Sequence, residues 1–382
     1  MAIIASLIGR RRQSFTEKLV QMPWGLVIVV TILCVIGLFM LYSAAAGNFD
    51  PWASKQLVRF AIGMVLMLGI ATVPIRFWYR ASYVIYALAL ILLVVVKFQG
   101  SIGMGAQRWL DFGFVRVQPS EIMKYALIMA LARFFDQRGS DGASQWLALV
   151  IPLILLAAPV GLIAVQPDLG TAVILIMACG MIFFTIGISW WVLGGGILTL
   201  IAAAPLVWHY LHDYQKARVL VFLDSSRDPL GTGYNIIQSK IAIGSGGWTG
   251  KGFMQGTQSH LNFLPEKQTD FIFTMLGEEF GFLGAIFVLC LYGIVLLYGY
   301  RIVSRVASRY ARIVAIGIIG FMFLSIFVNV GMVMGMIPAK GVPLPFLSYG
   351  GTSLVVTLCG MGLLMNLWIH RDARLGAGGV ED

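Results

Sequence analysis

Charge is what this 382-residue chain has least of: Asp, Glu, Lys and Arg together make up 12% of it, against 59% hydrophobic residues. That balance excludes an ordinary soluble domain and a disordered chain alike. Cysteine is scarce as well, and Cys34, Cys179, Cys290 and Cys359 all fall inside apolar runs at unrelated spacings. Neither a disulfide framework nor a cysteine-based metal site is implied. A phosphate-binding loop is missing: before Gly250-Lys251, Gly246 stands one residue too close, and Gly252 rather than Ser or Thr follows the lysine. The dinucleotide pattern fails too, because Gly231-Thr232-Gly233 has no third glycine and follows no strand-like run.

What is present is long apolar runs, and a mean hydropathy of +0.87 marks a polytopic membrane protein. Runs near the roughly 20 residues that cross a bilayer as a helix fall at 24–45, 56–74, 81–98, 119–135, 147–165, 169–187, 190–208, 271–298, 313–336 and 353–369. The expected fold is therefore an all-α integral membrane protein of about ten transmembrane helices. It forms a single polytopic domain over 1–382, with a large extracytoplasmic loop, 209–270, between helices 7 and 8. Lys and Arg set the orientation. The side of the termini carries Arg10, Arg11, Arg12, Lys18, Arg76, Arg80, Arg133, Arg138, Arg301, Arg305, Arg309, Arg312, Arg371 and Arg374. The other side, long loop apart, carries Lys55, Arg59, Lys97, Arg108, Arg116, Lys124 and Lys340. Both termini should be cytoplasmic. Ala44-Ala45-Ala46 imitates a cleavage site, but the apolar stretch before it is too long for a signal-peptide core.

A formal net charge of +10 is only partly explained by those arginines. The long loop adds Lys216, Arg218, Arg227, Lys240, Lys251 and Lys267. An anionic partner outside the cytoplasm follows, and a phosphorylated lipid suits that place better than nucleic acid.

Asp270 is the leading candidate for chemistry, since it stands where the polar, Gly-rich loop gives way to the apolar run beginning Phe271-Ile272-Phe273. An ionisable group there, beside a segment able to fold over it, marks a functional site. The competing reading is that Thr269 or Asp270 merely caps the helix. In Gln118-Pro119-Ser120-Glu121-Ile122-Met123-Lys124, spacing of three puts Gln118, Glu121 and Lys124 on one helical face. Either Glu121 and Lys124 form an internal ion pair, or Arg108, Arg116 and Lys124 converge on a cavity for a charged head group. Asp168 could cap the helix that follows it, and Arg59 could be an interfacial snorkeller. Asn235 to Ile243 has the pattern of an amphipathic helix able to lie on the membrane through Ile236, Ile237, Ile241 and Ile243, followed by a flexible turn around Trp248. Glu278 and Glu279 lie two turns beyond Asp270, and at least one should face the same interior.

The segments QPSEIMK, QPDLGT, YNIIQSKIAIGSGGWTGKG, LPEKQTDFIF and GVPLPFLSYGGTS, in this order across the chain, resemble the SEDS family of shape, elongation, division and sporulation proteins. The wording IIQSKIAIGSGG and GVPLPFLSYGG resembles its elongation branch, RodA, more than its division branch, FtsW. The resemblance implies a peptidoglycan glycosyltransferase of the inner membrane that polymerises lipid II into a growing glycan strand on the extracytoplasmic face. It implies Asp270 as the catalytic residue, and Arg59, Arg116, Gln118, Glu121, Lys124, Asp168, Thr257 and Ser348 as functionally sensitive positions. It also implies a partner, a class B penicillin-binding protein resembling penicillin-binding protein 2. Joining an α-linked lipid diphosphate into a β-link inverts the anomeric centre, so a single carboxylate can serve as base. Arg59, Arg108, Arg116, Lys124 and Lys251, or a divalent cation, would steady the departing diphosphate. A flippase for the lipid-linked precursor and a non-enzymatic scaffold for a transpeptidase are the alternatives. Only a polymerase makes glycan from lipid II by itself.

Overall fold

The structure is a computed structural model that describes residues 14–103, 106–111, 113, 116–138, 147–166, 168–210, 216–217, 220–221, 232–261, 263–264, 266–338 and 341–373. Arg10, Arg11, Arg12, Arg218, Arg227, Lys340 and Arg374, named above for their charge, lie outside the described residues. A short first helix, α1 (Phe15–Gln21), opens with a capping box between Ser14 and Glu17. Then come α2 (Trp24–Ala44), α3 (Ala53–Thr72) and α4 (Ile75–Gln99), a small antiparallel sheet of β1 (Ser101–Gly103), β2 (Ala106–Asp111) and β3 (Arg116–Val117), and α5 (Pro119–Arg138). The chain continues through α6 (Leu147–Val165), α7 (Leu169–Thr185), α8 (Trp190–Tyr210), α9 (Thr232–Gly246), the single turn α10 (Thr257–His260), α11 (Ile272–Arg305), α12 (Arg309–Val333) and α13 (Gly351–Ile369).

The long helices fall on the apolar runs, but several extend past them. α4 begins at Ile75, α11 ends at Arg305 and α12 begins at Arg309, because arginine is a good helix former and its long side chain reaches water from a helix end. Among the described residues, six helices are long and apolar enough to cross a membrane: α2, α3, α4, α11, α12 and α13. Their outward faces are apolar, with Ile28, Val58, Val84, Leu88, Phe287 and Leu297 all exposed, as expected where the surroundings are hydrocarbon. α5 is the opposite case: from Pro119 to Asp136 nearly every side chain is buried, charged ones included. It is a central helix enclosed by α4, α6 and α12.

Small residues let helices approach where no hydrophobic gradient drives them together. A Cβ on Gly362 of α13 would stand 2.5 Å from the Met67 carbonyl oxygen of α3, so the two backbones touch. Asn366, one turn further on, donates its amide to the carbonyls of Ile70 and Ala71 at 3.1 Å each, and to that of Val73.

The expected membrane-lying helix takes a different position. α9 packs along α11 and touches α12, with Ile236, Ser239 and Ala242 buried and Ile237 and Ile241 outward. The Ser239 hydroxyl bonds Thr274 at 2.7 Å and the Val333 carbonyl at 2.8 Å. Two hydroxyls and a carbonyl are better satisfied against other helices than in lipid, so the apolar side foreseen from spacing is split between two surfaces. The turn after α9 is also held in place, by a break in α11. At Gly281 the backbone leaves helical geometry (φ 65°, ψ −161°), and the hydrogen bonds so released are made across to the turn. Lys251 and Gly252 donate N–H to the carbonyls of Glu278 and Glu279, both at 3.0 Å. Phe282 and Leu283 donate to the carbonyls of Gly247 and Trp248 at 2.9 and 3.1 Å. A Cβ on Gly250 (φ 80°) would lie 2.1 Å from the Glu279 oxygen, so glycine serves close approach here rather than flexibility.

Candidate functional site

The segment from Gly341 to Gly350, between α12 and α13, is non-helical yet enters the bundle: Phe346 and Leu347 are buried, and Leu347 lies against Gly37 in the middle of α2. Irregular backbone at that depth needs side-chain partners. Tyr292 supplies its hydroxyl to the Pro345 carbonyl, and Gln56 its amide to the Ser348 carbonyl at 3.0 Å. The Ser348 hydroxyl accepts from Leu344 N–H at 2.8 Å and donates to the Thr269 carbonyl at 2.6 Å. The Asn329 amide donates to the carbonyls of Val342 at 2.8 Å and Asp270 at 3.0 Å. Asp270 is thus fixed by its backbone, and its side chain faces Gly341, where a Cβ would stand 3.1 Å from Oδ2.

The N-cap of α11 is Phe271, whose side chain has no acceptor, and Thr269 turns its hydroxyl back to Glu266 at 3.2 Å. Asp270 stands one position outside the helix and is half-buried. Arg59, expected either to snorkel or to bind, lies with its guanidinium carbon 4.8 Å from the centroid of the Tyr349 ring. Its Nη1 is buried with no hydrogen-bond partner among the described residues. Gln118 joins the same neighbourhood through its N–H, 3.1 Å from the Thr352 hydroxyl at the start of α13.

The other four basic candidates each sit on a carboxylate. Lys124 and Glu121 are 2.7 Å apart and nearly inaccessible, with the Lys124 ammonium also 4.2 Å over the Phe321 ring. Arg116 and Asp111, cross-strand partners in β3 and β2, are 2.9 Å apart. Asp111 is held below its usual range by the Gly113 N–H first and the Arg116 guanidinium second. Arg108 stands 3.8 Å from Asp168. Asp168 caps α7, accepting the Thr171 N–H at 3.4 Å and its hydroxyl at 2.9 Å. Lys251 lies 2.8 Å from Glu278. Both structural alternatives weighed from spacing, the ion pair for Glu121 and Lys124 and the cap for Asp168, are present.

Thr257 belongs with Lys251. Its hydroxyl accepts from that ammonium at 2.7 Å and faces Glu278 Oε1 at 3.3 Å. Glu278 also takes the N–H of Gln258 at 2.8 Å and of Ser259 at 3.2 Å. Glu279 accepts the Ser43 hydroxyl at 2.5 Å and has His260 Nε2 at 3.4 Å. Both glutamates are fully buried. The structure thus brings Asp270, Ser348, Arg59 and Gln118 together around the Gly341–Gly350 segment and collects Lys251 and Thr257 on Glu278. Lys267 links the two groups: its ammonium donates to the Ser259 carbonyl at 2.8 Å, three residues before Asp270, and burial lowers its pKa from the ordinary lysine value. Among the described residues no three His, Cys, Asp or Glu side chains are grouped to hold a metal ion.

Sequence reasoning missed Asn329 and Gln56, and named Lys267 only among the basic residues of the loop. A signal existed for the first, because an asparagine inside the apolar run 313–336 is expensive in lipid and has to face a partner. Gln56 gave none, since it stands among polar neighbours in the sequence.

Comparison with known proteins places this geometry. Residues 24–373 match the family of FtsW, RodA and SpoVE, described as cell cycle proteins. The peptidoglycan glycosyltransferase MrdB of Escherichia coli (strain K12) is 41% identical over 361 residues, covering 94% of this chain and 96% of MrdB. A solved peptidoglycan synthase complex that coordinates polymerization and crosslinking contains a chain with a TM-score of 0.80 and 34% identity, over 92% of this chain and 98% of that one. The rod shape determining protein RodA of Thermus thermophilus, solved as an aspartate-to-alanine variant, gives a TM-score of 0.70 at 26% identity, over 92% of this chain and 98% of RodA.

Proposed function

The chain belongs to the FtsW, RodA and SpoVE family of cell cycle proteins, and on that footing we propose that it polymerises lipid II with Asp270 as the base. It is a multi-pass membrane protein and a peptidoglycan glycosyltransferase acting in elongation. Its ten long helices are spans of one polytopic domain, with both termini cytoplasmic and residues 209–270 forming an extracytoplasmic loop over the site. Its partner for crosslinking is a transpeptidase of the class B penicillin-binding type.

One observation carries the assignment of Asp270: three groups from two parts of the chain, Asn329 of α12 and Ser348 and Tyr349 of the Gly341–Gly350 segment, fix residues 268–270 while the Asp270 side chain projects toward Gly341. A base must reach the acceptor hydroxyl at hydrogen-bond distance, and a carboxylate on a clamped backbone keeps that position between turnovers. The inverting displacement runs in one step. Asp270 takes the proton of the acceptor sugar hydroxyl as its oxygen attacks the anomeric carbon of the donor, and the lipid diphosphate leaves with the bonding pair. Negative charge grows on that diphosphate. Of the five cations considered for it, Arg59 is the one with a buried N–H lacking a partner and no carboxylate beside it among the described residues. Arg108, Arg116, Lys124 and Lys251 would have to turn from Asp168, Asp111, Glu121 and Glu278. Arg59 is therefore the first diphosphate contact, with Gln118 and Ser348 shaping its surroundings and the paired cations contributing at longer range.

The test is glycan synthesis from labelled lipid II by purified protein. Asp270→Asn keeps the side-chain size and loses the basic oxygen, so turnover should fall by about 10²–10⁴ with the thermal midpoint unchanged. Near-normal glycan from this variant would end the assignment. Lipid II movement across vesicles with no glycan, even with a transpeptidase partner added, would put a flippase in place of the enzyme.

A further inference from the structure

The end of the bundle farthest from Asp270 carries a second concentration of charge that the reaction does not use. α11 runs 34 residues from Ile272 beside the site, about 50 Å at 1.5 Å per residue, which is more than the roughly 30 Å of hydrocarbon in a bilayer. α13 runs the same way, from the turn holding Ser348 to Trp368 and Ile369. Their far ends meet at the turn before α12. The Ala307 N–H donates to the Arg371 carbonyl at 2.8 Å. Two guanidinium groups stand by Trp368, with the carbon of Arg371 at 5.0 Å and that of Arg305 at 5.8 Å from its ring centroid. Arg312 turns to the same place, its Nη2 3.3 Å from the Val306 carbonyl.

Three guanidinium groups from three elements thus surround one turn. The acid found with them is Asp372, 4.0 Å from Arg371 and 90% exposed, which cannot neutralise three cations. Arg305 has no hydrogen bond or ion pair among the described residues, and Arg371 spends one N–H on the Trp368 carbonyl at 3.4 Å. The flank just inside is apolar and outward: Leu297 and Tyr300, on the last turns of α11, are 62% and 67% exposed. Cations at the membrane edge, an interfacial tryptophan and an apolar flank leading into the bilayer fit an acyl chain below and a phosphate above. Planar guanidinium forks suit phosphate oxygens better than ammonium groups do.

We propose that Arg305, Arg312, Arg371 and Trp368 form a binding site for the head group of an anionic phospholipid on the membrane face opposite the catalytic site. The competing account is that these arginines only set topology, as those of any loop on that side would. Arg76 and Arg80, exposed at the start of α4 on the same side, provide the control, because they carry the same charge on a different element.

The experiment uses the full chain in phosphatidylcholine vesicles with spin-labelled phosphatidylglycerol or spin-labelled phosphatidylcholine, and reads the fraction of each lipid restricted by the protein. The parent should prefer phosphatidylglycerol. Arg305→Gln with Arg371→Gln should lower that preference by at least about five-fold more than Arg76→Gln with Arg80→Gln does, the control pair showing the loss that any two charges near the surface give. Equal losses in the two double variants, or no preference in the parent, would overturn the site. Should the first double variant fail to reconstitute, Arg305→Gln alone serves, since that exposed side chain has no polar partner to lose among the described residues. Glycan synthesis is not the readout, so the result stands apart from the assignment of Asp270.

Discussion

Asp270 and Glu278 lie eight residues apart on one stretch of chain, carry the same functional group, and are held in opposite ways. Asp270 is anchored by its backbone, through Asn329 to its own carbonyl and Ser348 to that of Thr269, and its side chain is half-buried toward the Gly341 segment. Glu278 is anchored by its side chain, whose two oxygens take Lys251, Thr257, Gln258 and Ser259 and which is fully buried. A carboxylate with that many donors is stabilised as an anion and is a poor proton acceptor. A carboxylate whose position is set by its main chain does not depend on side-chain contacts for its place. On the function proposed above, that difference would separate a base from a fastening, and residue type alone does not reveal it.

Breaking the comparison at its two ends should give unlike losses. Asp270→Asn should remove about 10²–10⁴ of turnover and leave unfolding unchanged. Glu278→Gln should destabilise the fold by about 3 kcal/mol, the low end for breaking a buried ion pair, since Lys251 is a quarter exposed and can turn to water. The new amide would also point a donor at Ser259 or Gln258 N–H. Denaturation midpoints measured beside glycan yield separate the two, and a normal midpoint in Glu278→Gln would remove it from the fold's support.

Lys124 and Glu121 sharpen the same contrast, because both are buried against each other at 2.7 Å with one Glu121 oxygen left unbonded. Lys124→Leu alone should cost about 3–5 kcal/mol by orphaning the carboxylate, whereas Glu121→Leu with Lys124→Leu should restore stability. Glycan yield in the stable double variant then decides the rest. Recovery makes the pair a fastening like Glu278, and a persistent loss keeps Lys124 with the diphosphate.

How much of this was legible beforehand depends on the scale of the signal. The long helices were readable because an apolar run near bilayer length has few alternatives. Asp270, Glu121, Lys124 and Asp168 were visible as charges where charge is costly. What those charges touch was not readable. Spacing allowed the Glu121 and Lys124 pair but could not choose it over a cavity, and no local pattern announces that α11 breaks at Gly281 to accept the Lys251 turn. The glycines around Trp248 looked like flexibility because their close neighbours, the carbonyls of Gly277 and Glu279, come from a helix 30 residues later in the chain.

Asn329 tests whether clamping the backbone matters to chemistry. Asn329→Leu preserves volume and leaves the carbonyls of Asp270 and Val342 without their donor, a cost of about 1–3 kcal/mol for buried acceptors. Turnover should fall while the apparent affinity for lipid II holds, because the loss concerns where Asp270 points rather than what binds. A rise in KM with kcat unchanged would show instead that the Gly341 segment holds substrate and that Asp270 does not depend on the clamp.

The smallest effect belongs to Lys267, which ties the Glu278 group to the Asp270 group through the Ser259 carbonyl. Burial lowers its pKa in the folded protein, so between that value and the ordinary lysine value the unfolded chain binds more protons than the folded one. Stability must therefore rise with pH across that alkaline window, and below it the penalty for burying the charged amine is felt in full. Lys267→Met removes the titration along with the bond to Ser259. Subtracting the variant's pH–stability curve from the parent's isolates this group from the tyrosines and other lysines that titrate nearby, and the difference should climb in the parent's favour as pH increases. A flat difference would mean that the folded and unfolded values coincide and that the ammonium is as well served at Ser259 as in water, leaving the link to Asp270 purely geometric.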